Sequence, residues 1–428
     1  MRPSYAHYKS SGVEWLSDVP EHWEVRPLQW ILQETLKYGA NEAADLDDQD
    51  LPRYIRITDI TPSGQLRDET FRSLPVEVAA PYLLQEGDLL FARSGSVGRT
   101  FLYKRTWGLC AHAGYLIRAR LDAEIAMPAF IFYYSLSHSY TSWLRTQVIQ
   151  STIENVNAER YSSMPIPLPP LPEQHAIAGF LDRETGRVDV LVEKKKELIE
   201  RLAEYRTALI TQTVTKGLPP DVAAAEGFNP APPLKPSGVE WLGDVPEHWK
   251  VKRLHRICQL AYGDSLPTDS RQTGEFPVLG SNGTVGYHRE TNTLAPVIVV
   301  GRKGSHGQVN FNYGPIFAID TTFFIDRRST DAELRWLYFS LLCIELDEES
   351  MDSAVPGLSR QYAYKKYLAL PPLEEQCAIA AFLDSQTGRI DALLARVEIA
   401  IERLREYRTA LITAAVTGKI DVREGSLV

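Results

Sequence analysis

The chain contains one stretch twice, and any fold proposed for it must accommodate the duplication. Residues 170–214 read PLPEQHAIAGFLDRETGRVDVLVEKKKELIERLAEYRTALITQTV, and residues 372–416 read PLEEQCAIAAFLDSQTGRIDALLARVEIAIERLREYRTALITAAV, at an offset of 202 without a gap. Each copy follows a proline run, which ends an extended segment and suits the entry to a helix. Apolar residues then recur in heptads. In the first copy one seam carries Leu181, Val188, Leu202 and Leu209, with Lys195 at the missing step, and a second carries Leu191, Leu198 and Tyr205. In the second copy the seams are Leu383, Ile390, Val397, Leu404 and Leu411, and Leu393, Ala400 and Tyr407. This spacing predicts coiled-coil helices. About 40 residues of helix reach about 60 Å, too long and narrow to own a core. Each helix must pair, and its own repeat, running antiparallel, is the expected partner.

Composition sets the frame around the helices. A chain of 428 residues has room for two or three domains. With 44% apolar and 24% charged residues it is globular rather than disordered. Cys110, Cys258, Cys343 and Cys377 lie far apart with no CxxC pair, which suggests neither zinc nor a disulfide framework and fits a reducing compartment. The N-terminal residues form no apolar signal region, and no run of about 18 apolar residues is present. The expected location is the cytoplasm. The net charge of −9 argues weakly against nucleic-acid binding.

A second duplication heads each half. Residues 11–25 and 237–251 match at 13 of 15 positions, SGVEWLSDVPEHWEV against SGVEWLGDVPEHWKV. The order is therefore head, variable middle, long helix, and the same again. The tryptophans of the heads, Trp15, Trp23, Trp241 and Trp249, are expected to clamp each head onto its surroundings. Both middles are strand-rich. In the first, residues 54–60 alternate apolar and polar, 87–93 are turn and strand, 94–100 a Gly/Ser loop, 101–103 a strand, and 129–148 a helix. In the second, 276–283 are strand and turn, 297–301 a buried strand, 302–309 a basic Gly/Ser loop, and 334–346 a helix. Residues 217–236, with six prolines, read as a surface linker.

Catalytic motifs are missing. No phosphate loop, dinucleotide fingerprint, HExxH or GxSxG is present, and neither is the Asn-Pro-Pro-aromatic motif of an amino-methyltransferase. Glu193-Lys194-Lys195 has a nuclease-like spacing but lies on a coiled-coil helix. What remains is local charge. Residues 86–120 hold six Lys/Arg against two acids, and residues 250–256 hold four basic residues and no acid. Acids gather at 41–50 and 345–352. A negative chain can thus present positive faces, and Arg and Lys beside Ser, Asn and Gly suit phosphate and base-edge contacts.

The doubled head motif, the Gly87–Gly98 segment GDLLFARSGSVG and the Pro-Pro-Leu-x-Glu-Gln motifs at 169–174 and 371–376 resemble the specificity subunit of a Type I restriction–modification system. The resemblance covers essentially the whole chain. It implies an α+β fold, with two α/β target-recognition domains separated by a pair of long antiparallel coiled-coil helices in a pseudo-two-fold internal repeat. The expected boundaries are 1–168 and 237–370 for the two recognition domains, 169–216 and 371–428 for the helices, and 217–236 for the linker. It also implies a non-catalytic chain that reads a bipartite site in double-stranded DNA. The helices act as a ruler, and methyltransferase and nuclease–translocase subunits dock. S-adenosylmethionine, ATP and Mg are expected on those partners, with no cofactor or metal on this chain. The basic loops are the expected DNA contacts: Arg93, Ser94, Ser96 and Arg99 in the first domain, and Arg302, Lys303, Ser305 and His306 in the second. Arg56 and Thr58 on the first strand and Asn282 in the second-domain turn join them. The alternative role for these loops is simply to turn strands, with Arg93 paired to a carboxylate. The alternative functions are a specificity module of a methylation-only system and, from another class, a self-contained nuclease or methyltransferase.

Overall fold

The computed structural model describes residues 4–147, 155–347 and 357–423. Val148 of the expected helix and the acids at 348, 349 and 352 lie outside these. The chain forms two compact units, one of residues 1–195 and 399–428, the other of residues 196–398. Each contains half of each long helix.

The helices run over Leu171–Lys216 and Leu373–Val416. Pro172 is tolerated in the first turn, where its missing N–H has no helical partner to lose. Both helices stop at a glycine in the left-handed region, Gly217 (φ 92°) and Gly418 (φ 71°), a C-terminal stop that a side chain would strain. In the first unit Ile177, Phe180 and Leu181 share a core with Leu411, Ile412, Ala415 and Val416. Arg408 Nε lies 3.0 Å from Asp189 Oδ1. In the second unit Ile379, Ala380 and Leu383 share a core with Ile210 and Val214, and Arg206 Nε lies 3.0 Å from Asp391 Oδ1. The low-numbered end of one helix meets the high-numbered end of the other in each unit, so the pairing is antiparallel. The two ion pairs join the same two repeat positions with the copies exchanged.

The seam of Leu181, Val188, Leu383, Ile390, Val397 and Leu411 is buried, with Leu202, Leu209 and Leu404 half-buried. The other seam is corrected by one position. Leu191, Leu198, Tyr205, Leu393 and Tyr407 are exposed, while Thr185, Val192, Thr387 and Ile401 are buried. Positions three and four residues after a seam residue flank the same groove. Leu191 and Val192 competed for it, and Val192 took the buried place.

The variable middles share one plan. In the first unit a four-stranded antiparallel sheet has the order Lys37–Tyr38, Leu116–Ala119, Leu89–Ala92, Thr100–Leu102. In the second the order is Ala261–Tyr262, Thr322–Ile325, Val297–Gly301, Val309–Asn312. The inner strands Leu89–Ala92 and Val297–Gly301 are buried throughout, as their unbroken apolar runs require. Some elements are shorter than the sequence suggests. The strand at Arg53–Ile55 gives way to a 3₁₀ turn at Ile57–Asp59, and the helix at 129–148 is two helices, Pro128–Ser135 and His138–Gln147. The linker carries a short helix, Pro220–Ala225, and a strand, Leu234–Pro236, paired to Asp244–Pro246.

Each head is pinned by one buried glutamate of the Pro-Pro-Leu-x-Glu-Gln motif. Glu173 accepts hydrogen bonds from Trp23 Nε1 (2.9 Å) and Tyr5 Oη (2.5 Å) and lies 2.8 Å from His22 Nε2. Glu375 accepts from Trp249 Nε1 (3.0 Å) and lies 2.9 Å from His248 Nε2. The neighbouring glutamine caps the next helix of the middle: Gln174 Oε1 accepts from Met127 N (2.8 Å), and Gln376 Oε1 from Glu333 N (2.9 Å). The motif is thus an anchor for both head and domain.

Candidate nucleic-acid interface

The loop after the inner strand is built alike in the two units. Gly98 N donates to Ala92 O (3.2 Å), and Gly307 N to Gly301 O (2.9 Å), which closes a tight turn. Both glycines have positive φ, 85° and 81°. The arginine that follows the strand bonds through its backbone on both sides. Arg93 N donates to Tyr115 O (3.0 Å) and Arg93 O accepts from Val156 N (2.8 Å). Arg302 N donates to Thr321 O (2.8 Å) and Arg302 O accepts from Leu358 N (2.8 Å). Its side chain lies over a tyrosine of the edge strand: Arg93 5.0 Å from the ring centroid of Tyr38, Arg302 5.0 Å from that of Tyr262. A guanidinium on an aromatic face keeps its in-plane N–H edge available to an anion or a base. Tyr115 is largely exposed beside Arg93.

The expected contacts separate on this geometry. Among the described residues no carboxylate pairs with Arg93; its Nε is 3.4 Å from Asn155 Oδ1. Ser94 bridges to Asn155, Ser96 O accepts from Arg99 N (3.2 Å), and both serines are half-buried on the loop. Arg99 turns back to donate to Ile60 O (2.9 Å). Arg56 is also committed. It grips Asp59 through Nη2 at 2.7 Å and Nε at 3.1 Å and donates to Thr70 O at 2.7 Å. Arg56 therefore holds the 3₁₀ turn, and Thr58 is exposed beside it, 3.3 Å from Asp59 Oδ1. In the second unit Arg302 Nη1 donates to Asp320 O (3.1 Å). Lys303 is exposed, and Ser305 is half-buried. His306 Nε2 lies 3.0 Å from Asp347 O, which ties the loop to the end of the apolar helix region. Asn282 is exposed at the two-residue turn of a hairpin, Phe276–Gly280 with Gly283–His288. Ser281 Oγ donates to Thr321 O at 2.5 Å, so the hairpin tip meets the Arg302 end of the sheet.

The local positive charge at 86–120 is smaller than the sequence count. Arg118 pairs with Glu34 (2.6 Å), and Arg120 with Asp88 (2.8 Å) and Glu34 (3.2 Å). Lys104 and Arg105 remain exposed. Sequence reasoning missed Tyr38 and Tyr262, and it missed Arg360, whose guanidinium lies 4.8 Å from the Tyr262 centroid. Each is short-range context in space and remote in sequence. Among the described residues no group of three His, Cys, Asp or Glu side chains is placed to hold a metal, and no helix is long and apolar enough to cross a membrane.

Comparison with known proteins bears on this geometry. A model of the Type I restriction modification DNA specificity domain matches residues 20–201 and 246–403. The putative type I restriction enzyme MjaX specificity subunit of Methanocaldococcus jannaschii is 25% identical, over 95% of this chain and 96% of its own length. The EcoprrI specificity subunit of Escherichia coli is 23% identical, over 78% of this chain and 80% of its own. A solved chain from work on complex assembly and conformational transition of the type I R-M system has the same fold. Its TM-score is 0.67 at 19% identity, covering 93% of this chain and 98% of that one.

Proposed function

We propose the following role for this chain, which belongs to the Type I restriction–modification DNA specificity family: each of its two units reads one half of a bipartite DNA site. Its task within such a system is specificity rather than catalysis. The observation that carries the bipartite reading is the matched pair Arg93 on Tyr38 and Arg302 on Tyr262, at equivalent ends of two equivalent sheets. The scaffold under each arginine is the same, whereas the loops differ where Ser94, Val97 and Arg99 stand against Lys303, His306 and Gln308. Two readers of one design with different side chains recognise two different half-sequences. In the first unit Arg93, with Ser94 and Ser96, approaches the duplex; Arg is suited to the O6 and N7 of guanine. In the second, Lys303, Ser305, His306 and Asn282 share the edge with Arg302. Asn282 at a hairpin tip has the paired donor and acceptor that match adenine.

The exposed apolar row on the helices supports docking of methyltransferase subunits. Leu191, Leu198 and Tyr205 on the first helix and Leu393 and Tyr407 on the second stand in water here, and exposed apolar residues repeated along a face favour association. A nuclease–translocase subunit completes the assembly, which works in the cytoplasm. S-adenosylmethionine, ATP and Mg are bound by those partners.

Methylation-sensitive long-read sequencing of DNA modified by the reconstituted methyltransferase complex tests this reading. The wild type is expected to mark a split motif. Arg93→Ala is expected to lose about 1–3 kcal/mol of site binding and to relax one half only. Marking of a single continuous motif, or relaxation of both halves together, overturns it.

A further inference from the structure

Among the described residues, the second unit carries a pair of ring-seated cations that the first lacks. Arg302 and Arg360 both lie over Tyr262, with guanidinium carbons 5.0 and 4.8 Å from the ring centroid. Arg360 opens the short helix Arg360–Lys365. The corresponding helix of the first unit, Ala158–Ser162, opens with Ala158. The correspondence is structural: Val156 N bonds to Arg93 O as Leu358 N bonds to Arg302 O, and each helix begins two residues later. In the first unit the space over the tyrosine is left to Arg93, and the Tyr38 hydroxyl takes a hydrogen bond from Ala158 N (3.1 Å). In the second, a side chain of positive charge takes that place.

Two guanidiniums on one ring repel each other. Among the described residues no carboxylate stands within ion-pair distance of either, and Arg302 has a backbone oxygen, Asp320 O, on one nitrogen. Such a pair is stabilised by an anion that meets both. Both guanidiniums are seated against the ring, and Tyr262 itself stays half-exposed. A base-reading arginine needs freedom to lie in the plane of a guanine; an arginine held at both ring and backbone suits a phosphate, which accepts from many directions.

We propose that Arg302 and Arg360, mounted on Tyr262, form a phosphodiester clamp confined to the second unit, and that base discrimination there falls to Asn282 and Lys303. The proposal rests on the DNA-reading role given above. It makes the two units unequal: the first mounts one arginine on its edge-strand tyrosine, the second two.

The test is the salt dependence of binding by the reconstituted methyltransferase complex. The probes are a duplex carrying the site mapped by sequencing and a shuffled duplex of equal length. Arg360→Ala is expected to weaken both duplexes by the same factor and to reduce the slope of log K against log[salt] by about 0.9, one phosphate contact. Arg360→Lys keeps a point charge and is expected to retain the slope, which also guards against a folding defect in the alanine variant. An unchanged slope in Arg360→Ala overturns the clamp. So does loss of preference at one base of the second half-site that lysine fails to restore, which makes Arg360 a base reader. Failure of the underlying DNA-reading role is distinct: the wild-type complex then binds the site and the shuffled duplex equally.

Discussion

His112 shows how far a single side chain is fixed by its surroundings. It sits on the buried strand Cys110–His112, its Nδ1 3.0 Å from Tyr82 O. Burial, with Arg118 adding to it against the pull of the Tyr82 carbonyl, pushes the imidazole down to about 4 from its ordinary 6.5. The folded chain therefore holds it neutral while the unfolded chain protonates it first. Stability is intact above pH 6.5 and falls as the pH drops from there to about 4, where both states carry the proton. The loss over that window is on the order of 3 kcal/mol. Urea unfolding at a series of pH values checks it: His112→Asn is expected to flatten this part of the profile, and an unchanged slope removes His112 as its source. The same kind of local fact was invisible in the sequence for the arginines. Arg118 and Arg120 counted as surface charge until Glu34 and Asp88, remote along the chain, were found against them. Arg93 stands apart from these because its neighbour is a ring rather than a carboxylate.

At the scale of elements, the long helices were the most legible part of the chain. Their signal is repeated, periodic and uninterrupted, and tertiary context had only to choose a partner. The choice between adjacent positions at the groove was beyond the pattern, since Leu191 and Val192 both satisfy a three-or-four spacing. This difference now predicts opposite outcomes for leucines that look alike. Leu383 is fully buried in the second-unit core, so Leu383→Ala is expected to cost about 2–5 kcal/mol in denaturant unfolding. Leu198 is 40% exposed, so Leu198→Asp is expected to leave unfolding within about 0.5 kcal/mol of wild type while weakening capture of the methyltransferase subunit in co-purification. A large stability loss for Leu198→Asp would return it to the seam. The middles were less legible. Their strands were found, yet the 3₁₀ turn at Ile57–Asp59 and the break between Pro128–Ser135 and His138–Gln147 depend on contacts that no local pattern contains.

For the whole molecule, duplication made the architecture readable and also hid the proposed reading edge. The repeats mark what is common to the two units, whereas Tyr38, Tyr262 and Arg360 belong to the diverged parts and are brought to their arginines only by the sheet. Because Arg93 and Arg360 lie in different units, Arg93→Ala and Arg360→Ala are expected to add in site binding to within about 0.5 kcal/mol. Titration of the double variant against both singles checks this, and strong non-additivity would mean that the two units act as one reader. The buried glutamates that pin the heads carry a further consequence. Glu173 and Glu375 gather the duplicated motifs onto fixed partners, and the arginine-bearing loops lie outside that arrangement. Inherited change can therefore accumulate at the loops without touching the anchors. On the role proposed above, a lineage can acquire a new recognition preference through a few exposed substitutions, each nearly neutral for folding, and alter one half of its preference while the other is passed on intact.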